Sequence, residues 1–590
     1  MSTRAPRGLT LLTLALAAAG PPAQALAGDP VLPFADVRPG MVGEARTVVQ
    51  GTEIVTFTVR VFDRQQVGDG PGGALILGRA EGPVIDASGG VAQGMSGSPV
   101  YVTGEDGVAR VIGAVAYGAG DEAGVIVGIT PIEQMLRSSA GSRAFEVRSV
   151  RAAREAVRVP SRAAARALQR RDPGRIGLHP LGRVAVAGVS RPLARLLGAD
   201  LDARGLQTTG IGPRTPRPPQ ELVPGATMTA LLAGGDITVG AVGTTTYVDG
   251  DRVLGFGHPF LGSGRARLLL GDGYVYRTIA APITGQSYKL AEPGTIQGAV
   301  IGDRTDGVTG VRGPSGGIPA RSVAIDTTRG TRVSVRAVLA PDERTLPVVA
   351  AVLQNEPLAR VRDGIQGGTV RLTFRITSPV LPGPIVYRNL FAAYGDILVP
   401  GLSELNRAVA LLGQNGIRSI PVSGIRVEQV VESRVRAARL VSARTVPRVV
   451  RPGQRATLLV RVQPWRESVR TLRLRVRIPV GMRPGARTLR IAPNTGAGFD
   501  ANPVPFEELL GVSGTLATRA DVDAMERRAT GLPGPRTVRV IGALAASLGG
   551  RNDAVRILGP GQAGGEGQVR AMPYVIFGPR ISARVRVAGR

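Results

Sequence analysis

The residues best suited to covalent chemistry are Gly94-Met95-Ser96-Gly97-Ser98-Pro99. Acyl transfer to a hydroxyl requires a tight turn to present it, N–H groups aimed at the developing oxyanion, and a base within hydrogen-bond reach. Gly94 and Gly97 admit backbone angles closed to other residues, so the N–H groups of Gly94 and Ser96 can converge on one oxygen. The chain has 2 histidines, which narrows the choice of base. His258, in Gly255-Phe256-Gly257-His258-Pro259, comes after the strand-like stretch Ala241–Tyr247 and is the candidate. His179, in Gly177-Leu178-His179-Pro180, lacks such a strand and reads as structural or exposed.

The elements around Ser96 separate it from one familiar nucleophile. An α/β-hydrolase elbow needs Gly-x-Ser-x-Gly and a helix after the serine, whereas here Ser98 stands at the last glycine position and Pro99 opens a strand, Val100-Tyr101-Val102. Pro99–Val102 and Ala109–Tyr117 form a hairpin around Thr103-Gly104-Glu105-Asp106-Gly107. A nucleophile loop followed by strand, turn and strand is the organisation of the chymotrypsin-like double barrel.

The likeness narrows further. Gly89-Gly90-Val91-Ala92-Gln93-Gly94-Met95-Ser96-Gly97-Ser98-Pro99, then Val111-Ile112-Gly113-Ala114-Val115, then Ile132-Glu133-x-Met135-Leu136, resemble the serine half of the SpoIVB peptidases. These are serine peptidases of bacterial envelopes and sporulation compartments. Ala241-Val242-Gly243-Thr244-Thr245-Thr246-Tyr247 and Gly255–Pro259 resemble that family's strand and Gly-His segment. The resemblance implies Ser96 as nucleophile, His258 as general base, and an acidic residue upstream of the serine. Glu81 aligns there, where the family has Asp, and Asp86 is the neighbouring alternative; each also reads as a surface carboxylate. Asp303, in Ile301-Gly302-Asp303-Arg304, is a third candidate for the acid near the histidine half, and reads first as a turn. In the family the histidine segment precedes the serine segment, and here the order is reversed. A circular permutation of two half-barrels, or pairing through a dimer, would reunite the groups. The resemblance also implies a narrow, regulatory substrate range, with self-cleavage. Another class of function competes: a catalytically silent double-barrel scaffold binding peptides or anionic envelope polymers, with Gly94–Pro99 as a plain β-turn.

Composition sets the frame for these motifs. A chain of 590 residues exceeds one compact core, so roughly three or four domains are expected. Recurrent Val-x-Val-x alternation, with Gly 82 and Pro 45, predicts a mainly β, loop-rich fold. Arg4 and Arg7, the apolar run Leu9–Ala19 and Ala25-Leu26-Ala27 read as a signal peptide over 1–27, and therefore as export to the envelope or beyond. The expected order is then a serine-bearing half-barrel at 28–140, a basic helical connector at 141–183, and a histidine-bearing half-barrel at 184–328. A mixed β-rich region with a helix at Leu402–Leu412 comes next at 329–424, then an immunoglobulin-like sandwich at 425–495 and an unassigned remainder at 496–590.

Cys 0 removes disulfides and thiolate metal sites, and neither His-Glu-x-x-His nor an EF-hand loop is present, so no metal or other cofactor is expected. The net charge of +29 is scattered through almost every strand-like segment, Lys289 is the only lysine, and aromatics are 4 %. That distribution argues against specific nucleic-acid recognition and for salt-dependent attraction to anionic surface polymers or lipid headgroups.

Overall fold

The computed structural model describes residues 28–66, 68, 70–119, 125–140, 178–202, 208–211, 215–280, 287–398, 401, 403–415, 418–494, 499–500, 544, 550–560 and 567–589. The expected signal peptide, most of the expected connector and residues 501–543 lie outside these. The fold is mainly β.

The first unit is a closed barrel. Its strands are β1 (Val42–Val48), β2 (Ile54–Gln66), β3 (Ala74–Glu81), β4 (Pro99–Thr103), β5 (Ala109–Ala119) and β6 (Ile126–Pro131). Antiparallel pairing runs β1–β2–β3–β6–β5–β4 and returns from β4 to β1. Alternation drives closure: in β1, Gly43, Ala45 and Thr47 are buried while Val42 and Glu44 face out, so one face of each strand needs a common interior. Closing the ring also removes the exposed edges that an open sheet would present. Met95, on the serine loop, is buried in this core with Val59, Ile76, Ile112 and Val115. A short strand, β7 (Leu178–Pro180), joins the far end of β5.

The second unit comes after β8 (Arg183–Ala187) and β9 (Thr208–Ile211). Its strands are β10 (Thr227–Gly235), β11 (Thr238–Asp249), β12 (Arg252–Gly255), β13 (Gly264–Ile279), β14 (Tyr288–Arg304) and β15 (Gly307–Arg312). Their pairings also form a ring, β10–β13–β14–β15–β12–β11 and back to β10.

From β10 the sheet continues through β17 (Thr331–Leu339), β16 (Ile318–Asp326), β20 (Gly424–Glu432), β18 (Gly368–Thr377) and β19 (Ile385–Ala393). Two expected boundaries therefore shift. The one at 328/329 would cut the β16–β17 hairpin. The one at 424/425 would assign β20 to the sandwich, whereas β20 pairs parallel with β16 and antiparallel with β18. The sandwich begins at Ala437 and extends to Val587, far beyond 495, because Ala554–Leu558, Gln568–Ala571, Val575–Phe577 and Ile581–Val587 complete its two sheets. It has its own apolar core, which includes Leu458, Val460, Ile491 and Val585.

A helix at Glu404–Gly413 lies close to where the sequence predicts one. A longer helix, Leu346–Arg362, is not foreshadowed by the alternating pattern. It is apolar on nearly every side, buries Gln354, Asn355 and Glu356 as well, and carries Pro357 in its interior.

Candidate active site

The serine loop is a tight turn. The Met95 N–H donates to the Ala92 carbonyl at 2.9 Å, and both the Ser98 N–H (3.1 Å) and the Ser98 hydroxyl (2.7 Å) donate to the Met95 carbonyl. The turn is anchored on β5 by Gly97 N–H to Val115 O and Val115 N–H to Ser98 O. It is equally held by the second ring: Thr244 N–H donates to Ser96 O at 2.7 Å, and the Thr246 hydroxyl to Gly97 O at 2.7 Å. Gly97 sits at φ +95, and a Cβ there would lie 1.9 Å from the Thr244 carbonyl oxygen, so only glycine lets the loop and β11 approach this closely. The Ser96 side chain is fully buried and its Oγ has no hydrogen-bond partner among the described residues.

His258 emerges from a bend just past β12, at Phe256 and Gly257, both with φ 67. Thr130 at the end of β6 donates its hydroxyl to Gly257 O at 2.6 Å, and a Cβ on Gly257 would meet the Ala116 Cβ at 2.9 Å, so the bend is seated on β5 and β6 of the serine barrel. Beyond the histidine, the Asp303 carboxylate accepts the N–H groups of Phe260 and Leu261, each at 2.7 Å, and of Ser263 at 3.2 Å. Asp303 is thus a buried clamp on the histidine loop rather than the plain turn expected.

The imidazole is 2 % exposed and packs edge-on against Phe256. Its Nδ1 lies 2.8 Å from the Pro259 carbonyl oxygen. A carbonyl only accepts, so Nδ1 carries the proton of the neutral ring and Nε2 holds the lone pair. Nε2 has no partner among the described residues. Burial lowers the His258 pKa to about 4, despite the Pro259 bond, which favours the charged form.

A peptide of the chain itself touches both the serine loop and the imidazole. The Gly94 N–H donates to Leu181 O at 2.9 Å, and Leu181 N–H donates to Ala116 O at 3.1 Å. A Cβ on Gly182 would be 3.0 Å from His258 Cε1 and 3.5 Å from Nε2. The Leu181–Gly182 peptide is therefore flanked by the serine loop on its carbonyl side and the imidazole on its nitrogen side. The Ser96 N–H, the other expected oxyanion donor, has no acceptor among the described residues.

Neither upstream carboxylate is brought to the histidine. Glu81, at the end of β3, faces Arg60 and Arg79 at 3.8 Å each. Asp86 is exposed on the short helix Pro83–Ser88 and has no bond to His258. The alternating exposure of β3 accounts for Glu81, and the helix turns Asp86 to solvent. What orients the ring is the Pro259 carbonyl. His179 is exposed and pairs across from Gly118.

Sequence reasoning missed Lys289. Its amine is buried against the back of the serine loop, donating to Thr47 Oγ1 at 2.9 Å and Thr244 Oγ1 at 3.3 Å, while Thr244 donates its hydroxyl to Gly94 O at 3.2 Å. Burial lowers its pKa to about 7. Its status as the sole lysine was the available signal. Among the described residues no three His, Asp or Glu side chains are grouped to hold a metal ion. Comparison of the chain with family models, curated proteins and solved structures gives no match.

Proposed function

We propose that the chain is an exported serine endopeptidase of the SpoIVB type, built on a chymotrypsin-like pair of barrels, that cleaves a restricted set of envelope proteins. One observation carries the reading. Ser96 Oγ and His258 Nε2 are both buried without partners among the described residues, and the loops that carry them touch the same peptide, through Gly94 N–H to Leu181 O and through the imidazole against Gly182. Orphaned buried polar atoms are costly, and a hydroxyl and an imidazole nitrogen left free on two loops that touch one peptide suit acyl transfer better than packing.

In this mechanism Nε2 takes the Ser96 hydroxyl proton as Oγ bonds to the substrate carbonyl carbon, and the oxyanion is received by the N–H groups of Gly94 and Ser96. The imidazolium returns the proton to the leaving nitrogen as the C–N bond breaks. Water, deprotonated by Nε2, then hydrolyses the Ser96 ester to a carboxylic acid. The Pro259 carbonyl fixes the tautomer, the part a carboxylate plays in a triad. The reversed order of motifs is no obstacle, because the histidine bend is seated on β5 and β6 of the serine barrel in the same chain.

The scaffold reading keeps two arguments: Ser96 Oγ shares no hydrogen bond with His258 Nε2, and Leu181–Gly182 already occupies the space beside them. A fluorophosphonate probe separates the two. Labelling mapped to Ser96, absent in Ser96→Ala and reduced about a hundredfold or more in His258→Gln, is expected of a peptidase. Well-folded protein that takes no label under any condition would favour the scaffold. The charge of +29 adds a salt-dependent attraction to anionic envelope polymers, without specific nucleic-acid binding.

A further inference from the structure

The backbone of residues 179–182 runs extended along β5 to the serine loop. His179 pairs with Gly118 and Pro180 with Tyr117, antiparallel to β5, and Leu181 continues the ladder through its N–H to Ala116 O. Pro180 fits at the intervening position, because the next donor used is that of Leu181. The Leu181 carbonyl then turns onto the Gly94 N–H. Its side chain, 1 % exposed, enters the core of the serine barrel that also holds Met95 and Val115. Gly118 borders this pocket: a Cβ there would stand 3.0 Å from Leu181 Cδ2. Beyond the carbonyl, Gly182 lies against the imidazole, where a side chain would crowd Cε1.

We propose that the edge of β5 at Ala116–Gly118 is the substrate groove, that it takes extended peptides with a leucine-sized apolar residue before the scissile bond and glycine after it, and that residues 179–182 are its resident occupant. Cleavage at that bond rests on the serine peptidase reading, but the groove is a binding site whether or not Ser96 reacts. Each contact has a separate role: main-chain pairing to β5 supplies affinity, the Leu181 pocket supplies selection, and the imidazole restricts the residue after the leucine to glycine. A charged residue in the pocket would be desolvated without a counter-charge on the peptide. The occupant also closes the site, since an external peptide must displace a tethered one.

The test uses the full mature chain carrying Ser96→Ala, so that nothing is cleaved, and a fluorescein-labelled peptide Leu-His-Pro-Leu-Gly-Arg. Anisotropy is read with the groove filled and with the occupant weakened by His179→Pro, which breaks the β5 pairing, or by Leu181→Ala, which empties the pocket. Because His179 is exposed, the first variant leaves the barrel core intact and carries the test should the second fail to fold. The peptide is expected to bind either weakened protein about tenfold more tightly than Ser96→Ala alone, and a peptide with Asp in place of its second Leu is expected not to bind. Equal binding to filled and weakened protein, or binding that ignores the Asp, overturns the groove. Fluorophosphonate labelling of the same occupant variants with Ser96 intact reports separately on the peptidase reading.

Discussion

His258 carries two linked properties, a fixed tautomer and a burial that keeps the ring neutral. Its folded pKa of about 4 lies below the ordinary value near 6.5, so between those limits the unfolded chain binds a proton that the folded chain does not. The stabilisation is complete above about pH 6.5 and is lost as pH falls from there through about 4. Denaturant titrations across this window should show stability falling with pH, and His258→Gln should flatten that slope; an unchanged slope would contradict the assignment. Lys289 behaves alike in the alkaline range. With its pKa lowered to about 7, stability should fall as pH drops from about 10 towards 7, and Lys289→Met should remove that dependence. Asp303 is a positioning residue. Asp303→Ala strands the N–H groups of Phe260, Leu261 and Ser263, and is expected to cost about 3 kcal/mol and to slow Ser96 labelling in protein that remains folded at low temperature. Asp303→Asn, which keeps one acceptor oxygen, should recover part of the labelling rate.

At the scale of elements, the candidate site was legible where the sequence marks a tight backbone locally. Gly94–Pro99 and Gly255–Pro259 pointed to Ser96 and His258 because glycine spacing marks a backbone that needs positive φ, as at Gly94, Gly97 and Gly257. The hairpin of β4 and β5 was legible from alternation and its Glu105-Asp106-Gly107 turn. The groups that hold the histidine loop and lie near the imidazole were not. Asp303 is 45 residues away in sequence and reaches the loop only because β13 and β14 pair, and Leu181 stood within a stretch read as connector. The helix Leu346–Arg362 was hidden because it is buried on nearly all sides, which erases the one-sided pattern a surface helix shows. Its last residue, Arg362, is 1 % exposed and pairs with Asp326 at 2.9 Å, tying the helix to the end of β16. Removing one partner of a buried pair leaves a charge without compensation, so Arg362→Ala should cost about 3–5 kcal/mol by denaturant unfolding. Arg362→Met combined with Asp326→Leu should recover part of that loss; if it does not, the bonds of Arg362 to Gly367 O and Ser433 Oγ and those of Asp326 to the Thr328 and Arg329 N–H groups carry the larger share.

Across the whole molecule, two rings of strands meet at the serine loop, and the C-terminal sandwich has a core of its own. The sandwich docks on β19: Asn552 N–H donates to Asn389 Oδ1 at 2.8 Å, Asn552 Nδ2 donates to Leu390 O at 3.1 Å, and Leu390, Ala392, Ala437 and Val575 form a small apolar seam. The mainly β class was legible from alternation alone. The boundaries were not, because parallel pairing of β16 with β20 joins segments about a hundred residues apart and leaves no local trace. Catalysis of the proposed kind requires Ser96 and His258 to act on the same carbonyl, and the presence of only 2 histidines makes that directly readable. The decisive measurement is the imidazole nitrogen spectrum of the ¹⁵N-histidine-labelled His179→Gln protein, recorded over a pH series before and after a fluorophosphonate has modified Ser96. A phosphonyl group on Ser96 would set its oxygen beside His258, and the His258 resonances are then expected to shift and to titrate at higher pH than in the free protein. His258 resonances and titration left unchanged while Ser96 carries the label would contradict a shared site.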